Sequence, residues 1–225
     1  MSPIVFLPGF EGEASLRRGF VDCLAARHAV KAVTYPNRTL GSLDGYRDHA
    51  MSVAPVDWKP IVVAESFSGL VAARWAAIDA RVQAVVLCGA FARNPVGHAA
   101  SLGAVLPSFV KLGPAFMAPV AWASGDQRRA DWGAGLTKAL SALDEEVIAE
   151  RLRLIATEDV GPELEALRIP TVVVHFDSDV VIGSRARSHL ESVCHRPIVL
   201  RLEGPHFALE TRPAECAAAI SAVFA

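Results

Sequence analysis

The chain has 225 residues, room for one sizeable α/β core and too few for two full domains with a linker. Its 22 lysines and arginines stand against 24 aspartates and glutamates, and a net charge of −2 offers no general attraction to nucleic acid phosphates. A 52% hydrophobic share excludes intrinsic disorder.

In chain order, the opening Met-Ser-Pro-Ile-Val-Phe-Leu-Pro-Gly-Phe carries no basic segment. Its apolar run stops at Pro8-Gly9, so it does not read as a secretory signal. Short β-branched runs follow at Ile4–Leu7, Val30–Thr34, Ile61–Ala64, Val82–Leu87, Thr171–His175 and Ile198–Leu202. Apolar runs with little alternation suit strands buried on both faces of a parallel sheet. Between them, helical patterns occupy Ala14–Arg27, Leu43–Val53, Phe67–Ile78, Ser184–Val193 and Pro213–Phe224. This alternation implies right-handed crossovers and a doubly wound α/β sheet of six mostly parallel strands.

The interval from Leu87 to Thr171 is far longer than one crossover helix requires. Its first half is rich in Pro and Gly. Its second half spaces Leu140, Leu143, Val147, Ile148, Leu152 and Ile155 as a helix does. The expected organisation is a core of residues 1–90 and 165–225 with a helical cap insertion over 91–164, lying at the strand ends where open α/β sheets bind ligands. Leu102 to Ala123 is the most apolar long segment, but Pro107, Pro114, Pro119, Gly103, Gly113 and Lys111 interrupt it. A spanning helix needs roughly 20 uninterrupted apolar residues, so no membrane span is expected. Cys23, Cys88, Cys194 and Cys216 form no C-x-x-C pair and suit free thiols in a reducing cytoplasm.

The chemistry concentrates in Ala64-Glu65-Ser66-Phe67-Ser68-Gly69, where a buried strand turns directly into a helix with a serine on the corner. Such a corner strains the serine backbone and demands small residues two positions before and after it, as Ala64 and Ser68 are. The following helix aims its free N–H groups at whatever lies above Ser66. Here the chain resembles the α/β-hydrolase superfamily, whose nucleophile elbow is small-x-Ser-x-small, though both glycines of the usual Gly-x-Ser-x-Gly are replaced. Further matches keep the family's order of Ser, Asp and His. After the run Thr171–His175 comes Phe176-Asp177-Ser178-Asp179-Val180-Val181, which matches the family's acid loop with the acid at Asp179 and leaves Asp177 as the alternative. Glu203-Gly204-Pro205-His206-Phe207 is similar to the family's turn bearing the histidine base, here His206. Phe6-Leu7-Pro8-Gly9-Phe10-Glu11-Gly12, a strand ending in Pro-Gly-Phe, resembles the His-Gly-x loop, with Pro8 in place of His.

The resemblance implies a sheet ordered second, first, third, fourth, fifth, sixth, without two leading strands of larger relatives. It also implies a serine hydrolase that cleaves small to medium carboxylic esters through an acyl-enzyme, with Ser66 as nucleophile, His206 as base and Asp179 orienting it. The N–H groups of Phe10 and Phe67 would form the oxyanion hole. Thioesterase or amidase action on the same residues, and a catalytically silent binding module, are the alternatives. No cofactor or metal is implied: the glycines form neither G-x-G-x-x-G nor G-x-x-x-x-G-K-[ST]. Phe10, Phe67, Phe176 and Phe207 flank these loops and either wall an acyl pocket or pack beneath it. Pro107, Phe109, Phe116, Met117 and Trp122 are candidate walls from the insertion, and His98 could face substrate. The chain looks most like the carboxylesterase group that includes the pimeloyl-[acyl-carrier-protein] methyl ester esterase. A carrier-linked acyl ester would then meet a basic rim of Arg128, Arg129, Arg151 and Arg153.

Overall fold

The computed structural model describes residues 2–95 and 127–225, with the backbone alone for 127–134. Six parallel strands form one sheet in the order β2-β1-β3-β4-β5-β6: β1 Ile4–Leu7, β2 Val30–Ala32, β3 Ile61–Glu65, β4 Ala84–Cys88, β5 Thr171–Phe176 and β6 Ile198–Leu202. The order is the one the resemblance implied. The central strands β1, β3, β4 and β5 are buried at every residue, whereas β2 and β6 stand at the edges and are partly exposed. The expectation of burial on both faces therefore fails for those two, because an edge strand has a neighbour on one side only.

Strand residues alternate between two cores. Val5, Leu7, Val62, Ala64, Val85, Leu87 and Val173 face helices α2 (Leu43–Val53) and α3 (Ser68–Ala76). On the other face Ile4, Phe6, Ile61, Val63, Val86, Val172 and Val174 meet α1 (Arg18–Ala25) and the last helix through Phe20, Leu24, Cys216 and Ile220. Side chains along a strand point alternately up and down, so the continuous apolar runs read in the sequence are what a sheet covered on both sides needs. The first helical pattern divides into a 3-10 turn, Ala14–Arg17, and α1.

Between β4 and β5 the described chain forms α4 (Gln127–Ala142), α5 (Glu145–Thr157) and α6 (Gly161–Ala166). The single helical spacing expected there is broken at Asp144, whose extended backbone starts α5. The other candidates of the interval, His98, Pro107, Phe109, Phe116, Met117 and Trp122, lie outside the described residues. After β5 come α7 (Ser184–Val193), then β6, α8 (Ala208–Thr211) and α9 (Pro213–Val223). Among the described residues no helix is long and apolar enough to cross a membrane.

Because all strands run the same way, the segments after β1, β3, β5 and β6 emerge at one end of the sheet, beyond the carboxyl ends of the strands. The corner after β3 depends on close approach of α3 to the chain following β4. A Cβ added at Gly69 would lie 2.6 Å from the Ala90 methyl, which has no rotamer to escape into. Gly69→Ala is expected to lower stability by about 1–3 kcal/mol, an overpacking cost. Chemical denaturation of both proteins checks this, and an unchanged midpoint would contradict the packing described.

Candidate active site

Ser66 sits on the corner between β3 and α3 with φ of +52°, a left-handed backbone seldom adopted by residues other than glycine. Its N–H donates to the carbonyl of Cys88 at 2.9 Å, one ladder step beyond the last paired strand residues. The bend therefore follows directly on the sheet. α3 begins two residues later without a side-chain cap, leaving its first amides pointed at the space above Ser66. Among the described residues, the N–H groups of Phe67 and Phe10 donate to no other group.

His206, on the turn after β6, reaches Ser66 over the carboxyl ends of the strands. Its Nε2 lies 3.0 Å from Ser66 Oγ and its Nδ1 lies 2.8 Å from Asp179 Oδ2. The other oxygen, Asp179 Oδ1, accepts from the N–H groups of Val181 and Ile182, each at 2.8 Å. A carboxylate only accepts, so Nδ1 carries the imidazole proton and Nε2 is left to accept from the serine hydroxyl. Gly89, at φ +52°, makes room for the ring: a Cβ there would lie 3.2 Å from Nδ1. All three side chains are buried. Asp177, the alternative acid, is exposed and spends its N–H on the Leu202 carbonyl. The structure thus brings together Ser66, His206 and Asp179, with Phe10 and Phe67 beside them, and leaves Asp177 outside.

A cavity of about 230 Å³ opens onto Ser66 and His206, walled by Phe10, Phe91, Leu136, Leu140, Leu152, Ile155 and Phe207. Phe67 and Phe176 do not wall it; both are packed into the core at 0% exposure. Charge also borders this cavity, through Glu11, Arg17 and Glu65. Arg17 Nε lies 2.7 Å from Glu65 Oε2 and its Nη2 lies 3.3 Å from Glu11 Oε1. Sequence reasoning missed this cluster, although Glu11 and Glu65 fall inside two of the four segments that carried the resemblance. Arg151 is a correction: expected on a basic surface rim, it is fully buried and donates to the Phe10 carbonyl. Arg153 bonds the Gly41 carbonyl, and the side chains of Arg128 and Arg129 lie outside the described residues. His175 pairs with Glu191, His28 with the Ser2 carbonyl and His49 with the Thr34 carbonyl, so these rings are held in structural contacts. Among the described residues no cluster of three or more His, Cys, Asp and Glu is arranged to hold a metal ion.

Residues 4–219 match the family model described as "Alpha/beta hydrolase family". No curated protein matches the chain. Among solved structures, the enol-lactonase from Burkholderia xenovorans LB400 is similar with a TM-score of 0.79 at 17% identity, over 98% of this chain and 90% of that one. An esterase from Exiguobacterium antarcticum gives 0.80 at 10% identity, over 99% and 91%. A bromoperoxidase from Bacillus anthracis gives 0.77 at 17% identity, over 97% and 90%. At these identities the likeness is one of fold.

Burial alone would raise the carboxyl pKa of Asp179. The hydrogen bond and charge of His206, with the amides of Ile182 and Val181, outweigh burial and hold it below the ordinary 3.8. Glu65 goes the other way: burial and Glu11 push its carboxyl up, and Arg17 only partly offsets them. A depressed carboxyl pKa contributes stability that is complete above the unfolded value and is lost as pH falls through the folded one. The stability difference between wild type and Asp179→Asn should therefore shrink as pH is lowered from about 5 to about 2. Urea midpoints at several pH values measure it, and a difference constant across that range contradicts the assignment of Asp179 as the ionised partner.

Proposed function

The chain belongs to the alpha/beta hydrolase family, and from that premise we propose that it is a serine hydrolase cleaving small to medium carboxylic esters through an acyl-enzyme. The observation that carries this reading is the run of contacts from Ser66 Oγ to His206 Nε2 at 3.0 Å and from His206 Nδ1 to Asp179 Oδ2 at 2.8 Å. Ser66 Oγ attacks the ester carbonyl carbon while Nε2 takes the hydroxyl proton. Asp179 keeps the ring in the tautomer that can accept it and stabilises the imidazolium that forms. The carbonyl oxygen, now an oxyanion, is received by the N–H groups of Phe10 and Phe67, each donor of this kind contributing about 3 kcal/mol. Nε2–H then protonates the departing alcohol, and water repeats the sequence to release the acid.

The apolar walls support a short or medium uncharged acyl group: a cavity of about 230 Å³ lined by Phe, Leu and Ile offers little to a peptide or a sugar. Two proteins that share the fold, the enol-lactonase and the esterase, also favour an ester substrate.

A fluorophosphonate probe should label Ser66, and p-nitrophenyl esters of increasing chain length should be turned over with a maximum at short to medium acyl chains. Ser66→Ala should abolish labelling and lower kcat by at least about 10³-fold. Comparable turnover by Ser66→Ala would falsify the reading, and an unlabelled, inactive wild type would favour a silent binding module.

A further inference from the structure

We propose that Ser68 and Arg151 are positioning residues, which hold the Pro8-Gly9-Phe10 loop from two sides so that the Phe10 N–H is presented beside Ser66. The proposal rests on the serine-hydrolase reading above, since it concerns the donor that would receive the oxyanion.

The Phe10 N–H belongs to the peptide between Gly9 and Phe10, so its direction is set by how that peptide and its neighbours are anchored. Three successive carbonyls are tied. The Pro8 carbonyl accepts from Ser68 Oγ. The Gly9 carbonyl accepts from the Gly12 N–H at 3.0 Å. The Phe10 carbonyl accepts from Arg151 Nη1 at 2.6 Å. Turning the donor amide breaks at least one of these bonds.

Ser68 lies two residues after the nucleophile, where the corner needs only a small side chain and glycine would serve. Its hydroxyl exceeds that steric requirement, and it joins the two segments that supply the two donors. The single Ser68 proton goes to Pro8, so Tyr35, 2.8 Å away, donates to Ser68 Oγ. Burial pushes the Tyr35 phenol pKa up, which keeps that donor protonated.

Arg151 comes from α5, 141 positions from Phe10 in the chain, and is fully buried. Its guanidinium lies over the rings of Tyr35 and Tyr46, 5.6 and 5.5 Å from their centroids. Its Nε donates to Tyr46 Oη at 3.1 Å, and Tyr46 in turn donates to Glu150 Oε1 at 3.1 Å. Glu150 also accepts from the N–H groups of Leu40 and Gly41, at 2.8 and 2.7 Å. A Cβ on Gly12, at φ +77°, would come within 2.7 Å of Arg151 Nη1, so the loop is shaped around the guanidinium. Tyr35 touches both halves of the device, bonding Ser68 and lying beneath Arg151.

The test measures kcat and KM with p-nitrophenyl butyrate, and the inhibition constant of an alkyl trifluoromethyl ketone, whose hemiketal oxyanion would sit between the two amides. A misplacement of about 1 Å costs up to about 10²-fold in rate. Ser68→Ala and Arg151→Met should each lower kcat by about 10- to 100-fold with KM within about threefold, and weaken the ketone by a similar factor. Tyr35→Phe should move both readouts the same way by less, and Arg151→Lys should recover part of the loss. Should the first two variants not fold, Tyr35→Phe and Arg151→Lys carry the comparison. Ketone affinity unchanged in folded variants, or a kcat loss matched by loss of folded protein, overturns the proposal while a labelled, active wild type leaves the hydrolase reading intact. A wild type that neither reacts with a fluorophosphonate at Ser66 nor hydrolyses the ester removes both together.

Discussion

Everything at this site depends on a serine being held in a left-handed backbone at the end of a central strand. A non-glycine residue in that region costs on the order of 1–3 kcal/mol and persists only where its surroundings over-determine it. The surroundings here are β3, locked between β1 and β4, and the bond from the Ser66 N–H to Cys88, which extends the ladder up to the bend itself. Ala64, Ser68 and Gly69 keep the corner small enough for α3 to fold back along the sheet. Parallel strand direction does the rest. It delivers the segments after β1, β5 and β6 to the same end of the sheet, so three stretches distant in sequence meet one hydroxyl.

That end of the sheet was legible because each element there is local: a strand followed by a turn with small residues at fixed positions. In their turns Ser66 is the residue on the bend itself and His206 is the one histidine, so the pattern singles each of them out. Asp177 and Asp179 are not, since both follow β5 and have the same chemistry. What separates them is a turn that the sequence does not spell out. The Asp179 N–H bonds back to the Phe176 carbonyl at 3.1 Å, and Oδ1 gathers the next two amides but one, at Val181 and Ile182, which aims Oδ2 at the imidazole. The break at Asp144 was hidden for a related reason. Leu140, Leu143, Val147 and Ile148 keep helical spacing through it, and all join one apolar cluster, so periodicity alone continues across the gap.

Long-range polar contacts were the part beyond reach. Arg151 occupies a helix whose pattern of charge looks like a solvated face, and only the fold supplies the two tyrosine rings and the carbonyl that make its burial tolerable. A buried guanidinium without such partners would cost several kcal/mol. Glu11, Arg17 and Glu65 follow the same logic: two of them lie in segments already singled out, but nothing in either segment points to Arg17, which the fold brings between them.

The ion cluster bears on how negative charge would be handled beside Ser66. Arg17 is the one arginine or lysine among the described residues that border the cavity, and it is already engaged by Glu65 at 2.7 Å and Glu11 at 3.3 Å. A guanidinium committed to two carboxylates has little attraction left for an oxyanion. In the proposed mechanism that charge therefore falls to fixed dipoles, the two backbone amides and the start of α3, rather than to a cation. Dipoles act only at close range and in the right direction, whereas a full charge tolerates displacement. A site that relies on them needs its amides held firmly. The tying of all three loop carbonyls, by a serine hydroxyl, a glycine amide and a buried arginine, is the kind of anchoring that such reliance requires.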